Sequence, residues 1–191
     1  MTFKTVVAAA TAATLLLGNA AQAASQTAVF AGGCFWSMEK GFEATPGVVA
    51  AVSGYAGGTR ANPTYENHEG YLEAVKVTYD PVKISYSQLV DAYYHHIDPT
   101  DPNGQICDHG PSYMLAVFTG SAQERQVAET ARAKYQRELG AKITVATRAA
   151  APFWTAEGYH QDFAKRNPLR YEQYRIGCGR DRVLKVVWGG R

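Results

Sequence analysis

Apolar positions along the chain alternate between a period of two and a period near three and a half. "TAVFAG" (27–32) is β-rich and stops at Gly32-Gly33, which predicts a strand and then a tight turn. "FWSMEKGFEAT" places apolar residues at Phe35, Met38 and Phe42, a helical stripe. "GVVAAVSGYAGG" predicts a strand entering a glycine-rich turn. "LEAVKVTYD" alternates apolar and polar, as a half-buried strand does, and stops before Pro81. "SYSQLVDAYYHHI" predicts a helix with Ser85 as its N-cap, and "YMLAVFT" a strand. "SAQERQVAETARAKYQREL" predicts an amphipathic helix capped by Ser121, with Glu124 completing a capping box. "ITVATR" reads as a short strand and "TAEGYHQDFAKRN" as a helix ended by Pro168. A long tail, "LRYEQYRIGCGRDRVLKVVWGGR", closes the chain.

This order, β-α-β-β-α-β-α-β and then a helix and tail, breaks simple parallel winding at its one β-β pair. It predicts an α+β fold: a split β-α-β (ferredoxin-like) plait with a mixed sheet, extra helices and a long C-terminal tail. Two polar loops, 56–71 and 98–112, are long for a compact domain, and such loops often carry function.

The first residues read differently. Lys4 precedes an apolar run at 6–17, and the segment closes on the small-x-small pattern Ala21-Gln22-Ala23. The run is short for a bilayer span and no stop-transfer pattern follows, so residues 1–23 are expected to be a cleaved signal peptide. A retained anchor or a buried N-terminal helix is the other reading. Residues 24–191 then form a single catalytic domain in the periplasm, with no membrane attachment after cleavage. The formal charge of +2 is nearly balanced, and no Lys/Arg run or basic stripe suggests nucleic acid. Nothing signals an oligomer, and a monomer is expected.

The chain has 3 cysteines, Cys34, Cys107 and Cys178. An odd number in an exported chain leaves a thiol over, which points to catalytic or exchanging cysteines. Cys34 follows the Gly-Gly turn where a helix begins, and a helix N-terminus favours a thiolate. Phe35 and Trp36 can wall the sulfur. A structural cysteine is the bland alternative. A cysteine hydrolase with His95, His96, His109 or His160 as base is another, but it leaves two thiols without a role. No histidine or cysteine pair has zinc-like spacing, so no metal is expected.

Seven blocks occur in order: "GCFW" at 33–36, "GYAGG" at 54–58, "NPTY" at 62–65, "EAVKVTYDP" at 73–81, "DPTDPNGQ" at 98–105, "DHGPSY" at 108–113, and "YHQDF" with "KRNPLRY" within 159–171. Together they resemble the type A peptide-methionine (S)-S-oxide reductases over essentially the whole chain after residue 26. The resemblance implies attack of Cys34 on a sulfoxide sulfur, a Cys34 sulfenic acid, and then a disulfide reopened by a thioredoxin-like reductant. It implies no metal or organic cofactor, only an external dithiol. Oxidised proteins or free methionine sulfoxide would be the substrates, and protein repair the role. By position, Phe35 and Trp36 match the aromatics that hold the substrate methyl group. Glu73 matches the acid that protonates the sulfoxide oxygen, and Tyr65 and Tyr113 the hydroxyls that bond to it. Asp108 matches a substrate-binding carboxylate. An acid on oxygen is also what attack at sulfur demands, and a carboxyl buried in an apolar strand suits that task.

Two departures from the family pattern stand out. Tyr71 occupies the place of a histidine two residues before the acid. The usual glycine-rich ending with two recycling cysteines is replaced by "YRIGCGRDRVLKVVWG". Cys178 and Cys107 are the candidates for the resolving and recycling thiols, in a relay that uses both. A stable Cys107–Cys178 disulfide that leaves Cys34 unpaired is the alternative.

Overall fold

A computed structural model describes residues 24–189; the expected signal peptide, 1–23, lies outside the described residues. The elements are β1 (Gln26–Ala31), α1 (Phe35–Glu43), β2 (Val48–Ala56), β3 (Leu72–Tyr79), α2 (Tyr86–His95), β4 (Gly104–Gln105), β5 (Asp108–His109), β6 (Ala116–Thr119), α3 (Ala122–Leu139), β7 (Ala146–Ala149), β8 (Phe153–Thr155), α4 (Phe163–Arg166), α5 (Pro168–Gly177) and α6 (Arg180–Trp188). A turn of 3-10 helix, Pro111–Tyr113, precedes β6. The architecture is mixed α+β. Six strands form one mixed sheet in the order β7-β6-β1-β3-β2-β8, and β4 and β5 make a separate two-residue hairpin. Neighbours in the large sheet are antiparallel except β6 and β7, which are parallel.

The period of two places alternate residues on opposite faces. Ala28 and Phe30 of β1, with Val75 and Val77 of β3, join the main core beside Phe35, Met38 and Phe42 of α1 and Leu89, Val90 and Tyr93 of α2. Ala31, Leu72, Ala74, Ala116 and Phe118 form a smaller cluster, with Val29 packed against it. The predicted α1 stripe is therefore the buried one. Glu73 alternates with Leu72 and Ala74, so it shares the face of Val75 and points toward the helices, opposite Tyr55 in register.

Caps behave largely as their residues predict. Ser85 accepts from the Gln88 amide and Gln88 reaches back to the Ser85 amide, a full capping box. At α3, Ser121 accepts from the Glu124 amide, but the Glu124 carboxylate bonds the amide of Gly120 rather than that of Ser121. The predicted box is thus displaced by one residue.

The C-terminal third departs most from expectation. The "ITVATR" strand begins only at Ala146, and an edge strand, β8, precedes the predicted "TAEGYHQDFAKRN" helix, which shrinks to α4. Pro168 does more than stop a helix: it is the first residue of α5, where its missing N–H costs nothing. The tail folds into α5 and α6. Among the described residues no helix is long and apolar enough to cross a membrane.

Ser85→Ala removes one half of an intact capping box, and urea denaturation is expected to show a loss of about 1 kcal/mol. An unchanged midpoint would show that α2 is held by packing alone.

Candidate active site

The site is built where β1 hands over to α1. Gly33 has φ +78, and a Cβ there would lie 2.4 Å from the Cβ of Gln105, so the turn admits only glycine. Cys34 follows at the N-cap, and its carbonyl accepts from the amides of Ser37 and Met38 at 3.1 and 3.3 Å. Its side chain caps nothing; that task falls to Glu73 on β3, whose Oε2 accepts from the Phe35 amide at 2.9 Å. Helix start, carboxyl and sulfur thus meet at one point.

Burial decides the charge state there. Glu73 is 1% exposed. Burial pushes its carboxyl up to about 8, against the pull of the Phe35 N–H and with some help from Asp108. It is therefore protonated at neutral pH, as a proton donor must be. The Cys34 thiol is pushed up to about 12, first by burial and then by the charges of Glu73 and Asp108. The Tyr174 hydroxyl and the Trp36 backbone pull it down but do not prevail. The helix start was expected to favour a thiolate. In this closed state desolvation outweighs it, because a dry thiolate loses its water and gains two acidic neighbours.

The two long loops bring in the remaining predicted groups. Tyr65 is anchored through its amide to Glu157 at 2.8 Å, and Tyr55 holds the other oxygen of that carboxylate at 3.0 Å. Tyr65 and Tyr113 act on one another, and both respond to the charges of Glu73 and Cys34. Burial, first of all, raises both phenols, so they stay protonated donors. Asp108 sits on β5. The fully buried Gln105 bonds the amide and the carbonyl of Asp98 at 2.8 and 2.9 Å, which fixes the loop around β4 and β5. Asp108 Oδ2 accepts from the Tyr174 hydroxyl, and burial raises its carboxyl above the usual range.

Phe35 is fully buried, whereas Trp36 is half-buried and firmly placed. The Trp36 ring stacks on Phe163 at 3.7 Å and 6°, and its Nε1–H donates to His160 Nδ1 at 3.1 Å. His160 therefore accepts at Nδ1 and carries its proton on Nε2, and burial holds its pKa down. Its ring lies 4.9 Å from Phe35. Among the described residues the charged groups that act on the Cys34 thiol are the carboxylates of Glu73 and Asp108 and not a histidine, which leaves the hydrolase arrangement without its base.

Cys34 is a free thiol, while Cys107 and Cys178 form a disulfide with Cα atoms 5.2 Å apart. Both sulfurs lie near an oxygen of Asp108, but their mutual bond occupies them. Tyr71 cannot replace the family histidine beside the acid, because its hydroxyl donates to the Arg60 carbonyl. Glu73 takes its orienting bond from the Phe35 amide instead. Sequence reasoning missed Glu157, which carries no local signal, and Tyr174. The latter had one: Tyr174 and Cys178 are four residues apart, one helical turn, in a stretch read only as a tail.

A family model for peptide methionine sulfoxide reductase matches residues 26–191. A Rhizobium meliloti protein, peptide methionine sulfoxide reductase MsrA 2, is 48% identical over 92% of this chain and 90% of its own. A Caulobacter vibrioides protein of the same name is 49% identical over 94% of this chain and 95% of its own. Among solved structures, methionine sulfoxide reductase A of Corynebacterium diphtheriae superposes with a TM-score of 0.68 at 31% identity, covering 78% of each chain.

Glu73→Gln keeps an acceptor for the Phe35 amide but cannot ionise. The carboxyl's folded pKa lies above its ordinary 4.5, so its neutral form favours folding; that advantage is complete below 4.5 and is lost as pH rises toward about 8. Chemical denaturation across that window should show wild-type stability falling relative to Glu73→Gln, with a slope of up to about 1.4 kcal/mol per pH unit. Parallel pH curves for the two proteins would place the Glu73 titration elsewhere.

Proposed function

This chain belongs to the peptide methionine sulfoxide reductase family, and from that premise we infer how its residues reduce methionine sulfoxide to methionine. The observation that carries the inference is a protonated, buried Glu73 bonded to the amide that follows Cys34. Substrate binds with its methyl group against Phe35 and Trp36. Its oxygen lies toward Glu73 and the hydroxyls of Tyr65 and Tyr113. The Glu73 proton moves to the sulfoxide oxygen as the Cys34 sulfur attacks the substrate sulfur. The thiol proton replenishes the carboxyl, the sulfur–oxygen bond breaks, and methionine leaves with its lone pair restored. Cys34 keeps the hydroxyl as a sulfenic acid. Charge separation at the sulfoxide is met by donors already in place, so little reorganisation is needed. One fixed methyl wall opposite one fixed acid favours a single sulfoxide epimer, and the family resemblance makes it the S form.

Recycling follows from the other two thiols. One of Cys107 and Cys178 attacks the sulfenic acid, water leaves, and a disulfide to Cys34 forms. Exchange with the remaining thiol frees Cys34 and yields the Cys107–Cys178 bond. An external dithiol of the thioredoxin class then gives two electrons and two protons to that bond and becomes a disulfide itself. The Cys107–Cys178 pairing beside a free Cys34 supports this order, and the exposure of Cys107 supports access by a protein reductant. No organic cofactor or metal enters this scheme.

Three further readings complete the proposal. The segment order β1-α1-β2-β3-α2-β6, with strands arranged β6-β1-β3-β2, supports the split β-α-β plait. The pattern of residues 1–23 supports export to a periplasm and cleavage, leaving 24–191 as one catalytic domain. That domain acts as a monomer on oxidised proteins or on free methionine sulfoxide.

Fully reduced enzyme mixed with (S)-methyl p-tolyl sulfoxide, without added reductant, should release sulfide and lose two free thiols for the first sulfide formed. A hydrolase would change neither. Cys34→Ser should abolish release, and Glu73→Gln should slow it by about 10²–10⁴. Cys107→Ser and Cys178→Ser should each keep the first release and lose thioredoxin-driven turnover. Such turnover surviving in the double variant would show that neither thiol recycles Cys34.

A further inference from the structure

Several constraints converge on Tyr174. Its hydroxyl donates to Asp108 Oδ2 and acts on the Cys34 thiol, pulling it down against burial. Its ring meets Trp36 edge-on, with centroids 6.1 Å apart and planes at 88°. Cys34 beneath it is only 6% exposed. Tyr174 stands one helical turn before Cys178, whose amide donates to its carbonyl at 2.9 Å. Cys178 is bonded to Cys107, and Cys107 is the residue before Asp108. A closed bracket results: one turn of α5, the disulfide, one peptide unit, and the hydrogen bond from Tyr174 back to Asp108.

We propose that Tyr174 is a positioning residue of the reductase, held across Cys34 and Asp108 by the Cys107–Cys178 disulfide and released when that disulfide is opened. The inference rests on Cys34 as the attacking thiol. With the disulfide intact, the end of α5 is tied covalently to the loop that carries Asp108, so the hydroxyl and the carboxylate stay in register. Once a dithiol has delivered two electrons and two protons, two separate thiols remain. The Tyr174–Asp108 bond, with a net worth of only about 1.5–3 kcal/mol, then ties the turn that carries Cys178 to the Asp108 loop, while Tyr171 and Arg180 keep the flanks of that turn on Ser37 and the His96 carbonyl. The end of α5, flanked by Gly177 and Gly179, is free to lift. Its cover therefore follows the state of the recycling thiols. Covered Cys34 coincides with spent thiols, when a further turnover would leave a sulfenic acid with no partner to resolve it. Uncovered Cys34 coincides with thiols ready to act. The disulfide reports its own state to the nucleophile through one tyrosine.

The test is the rate at which iodoacetamide labels Cys34, read on its peptide by mass spectrometry in the full-length protein. No sulfoxide is needed, so the result is independent of reductase turnover, which is measured separately on the reduced enzyme. Oxidised wild type should label slowly. Wild type reduced with dithiothreitol, Cys107→Ser/Cys178→Ser, and disulfide-bonded Tyr174→Ala should each label at least about tenfold faster. Tyr174→Phe, which keeps the ring, should stay within about threefold of oxidised wild type. Near-UV dichroism confirms that each variant is folded, and the reduced wild type carries the comparison without any substitution. Slow labelling of reduced wild type would overturn the link to the disulfide. Slow labelling of Tyr174→Ala, or Tyr174→Phe as fast as Tyr174→Ala, would overturn the role of the ring.

Discussion

Everything at the site depends on one hydrogen bond, from the Phe35 amide to the Glu73 carboxyl. It joins the start of α1 to the middle of the sheet, and it places an acid beside a sulfur that sits at the same helix start. The geometry is economical. A helix N-terminus needs an acceptor for its free amides, and a proton donor needs a dry, fixed position. Glu73 meets both needs because β3 is buried on both faces around it. The same burial keeps the carboxyl neutral, so it can accept from Phe35 and still donate its proton to a substrate oxygen.

The price of this arrangement falls on the nucleophile. Dryness that keeps Glu73 protonated also keeps Cys34 protonated, because both groups occupy one low-dielectric pocket. The two effects are one effect seen from two sides, and substrate resolves it. On the proposed mechanism, a sulfoxide oxygen that takes the Glu73 proton leaves a carboxylate able to accept the thiol proton. Attack and proton transfer are therefore linked, and no resting thiolate is required. A cysteine held as a free thiolate beside ionised Glu73 and Asp108 would be the less stable starting state.

How much of this was legible depended on the range of the interaction. The strand, Gly-Gly turn and helix around Cys34 are local, and the residues between Thr27 and Phe42 predicted them. The Ser85 N-cap is local in the same way, and its box partner Gln88, one turn on, was not read from the sequence. Nothing in the spacing of Glu73, Tyr65, Tyr113 and Asp108 showed that they would lie around Cys34, or that Gln105 and Glu157 would hold the loops. Those bonds span sequence distance, as in Glu157 to Tyr65, and polar loop residues give no period to read. The tail was misread for a different reason. Pro168 ends one helix pattern and begins another, and either reading suits a proline. The apolar residues of α5 and α6 include Leu169, Ile176 and Val186, which are exposed, so the buried stripe that marks α1 is weak there.

That misread tail bears on the whole cycle. If it were a flexible arm, Cys178 would reach Cys34 by diffusion of an unstructured chain, and its position would say nothing about the site. Folded as α5 and α6, it offers Cys178 a fixed partner in Cys107 and sets Tyr174 one turn away from it. The resolving chemistry then has a direction. In the proposed relay, a disulfide between Cys34 and Cys178 would draw the end of α5 inward over a buried sulfur, whereas one between Cys34 and Cys107 would draw the Asp108 loop. Exchange to Cys107–Cys178 moves the bond to the surface, where Cys107 is exposed, while Cys34 returns to a protonated thiol in a dry pocket. Oxidising equivalents thus pass from a place where sulfur is shielded to a place where a dithiol can collect them. In the proposed relay, the step from a buried Cys34 to an exposed Cys107 gives the exchange its order.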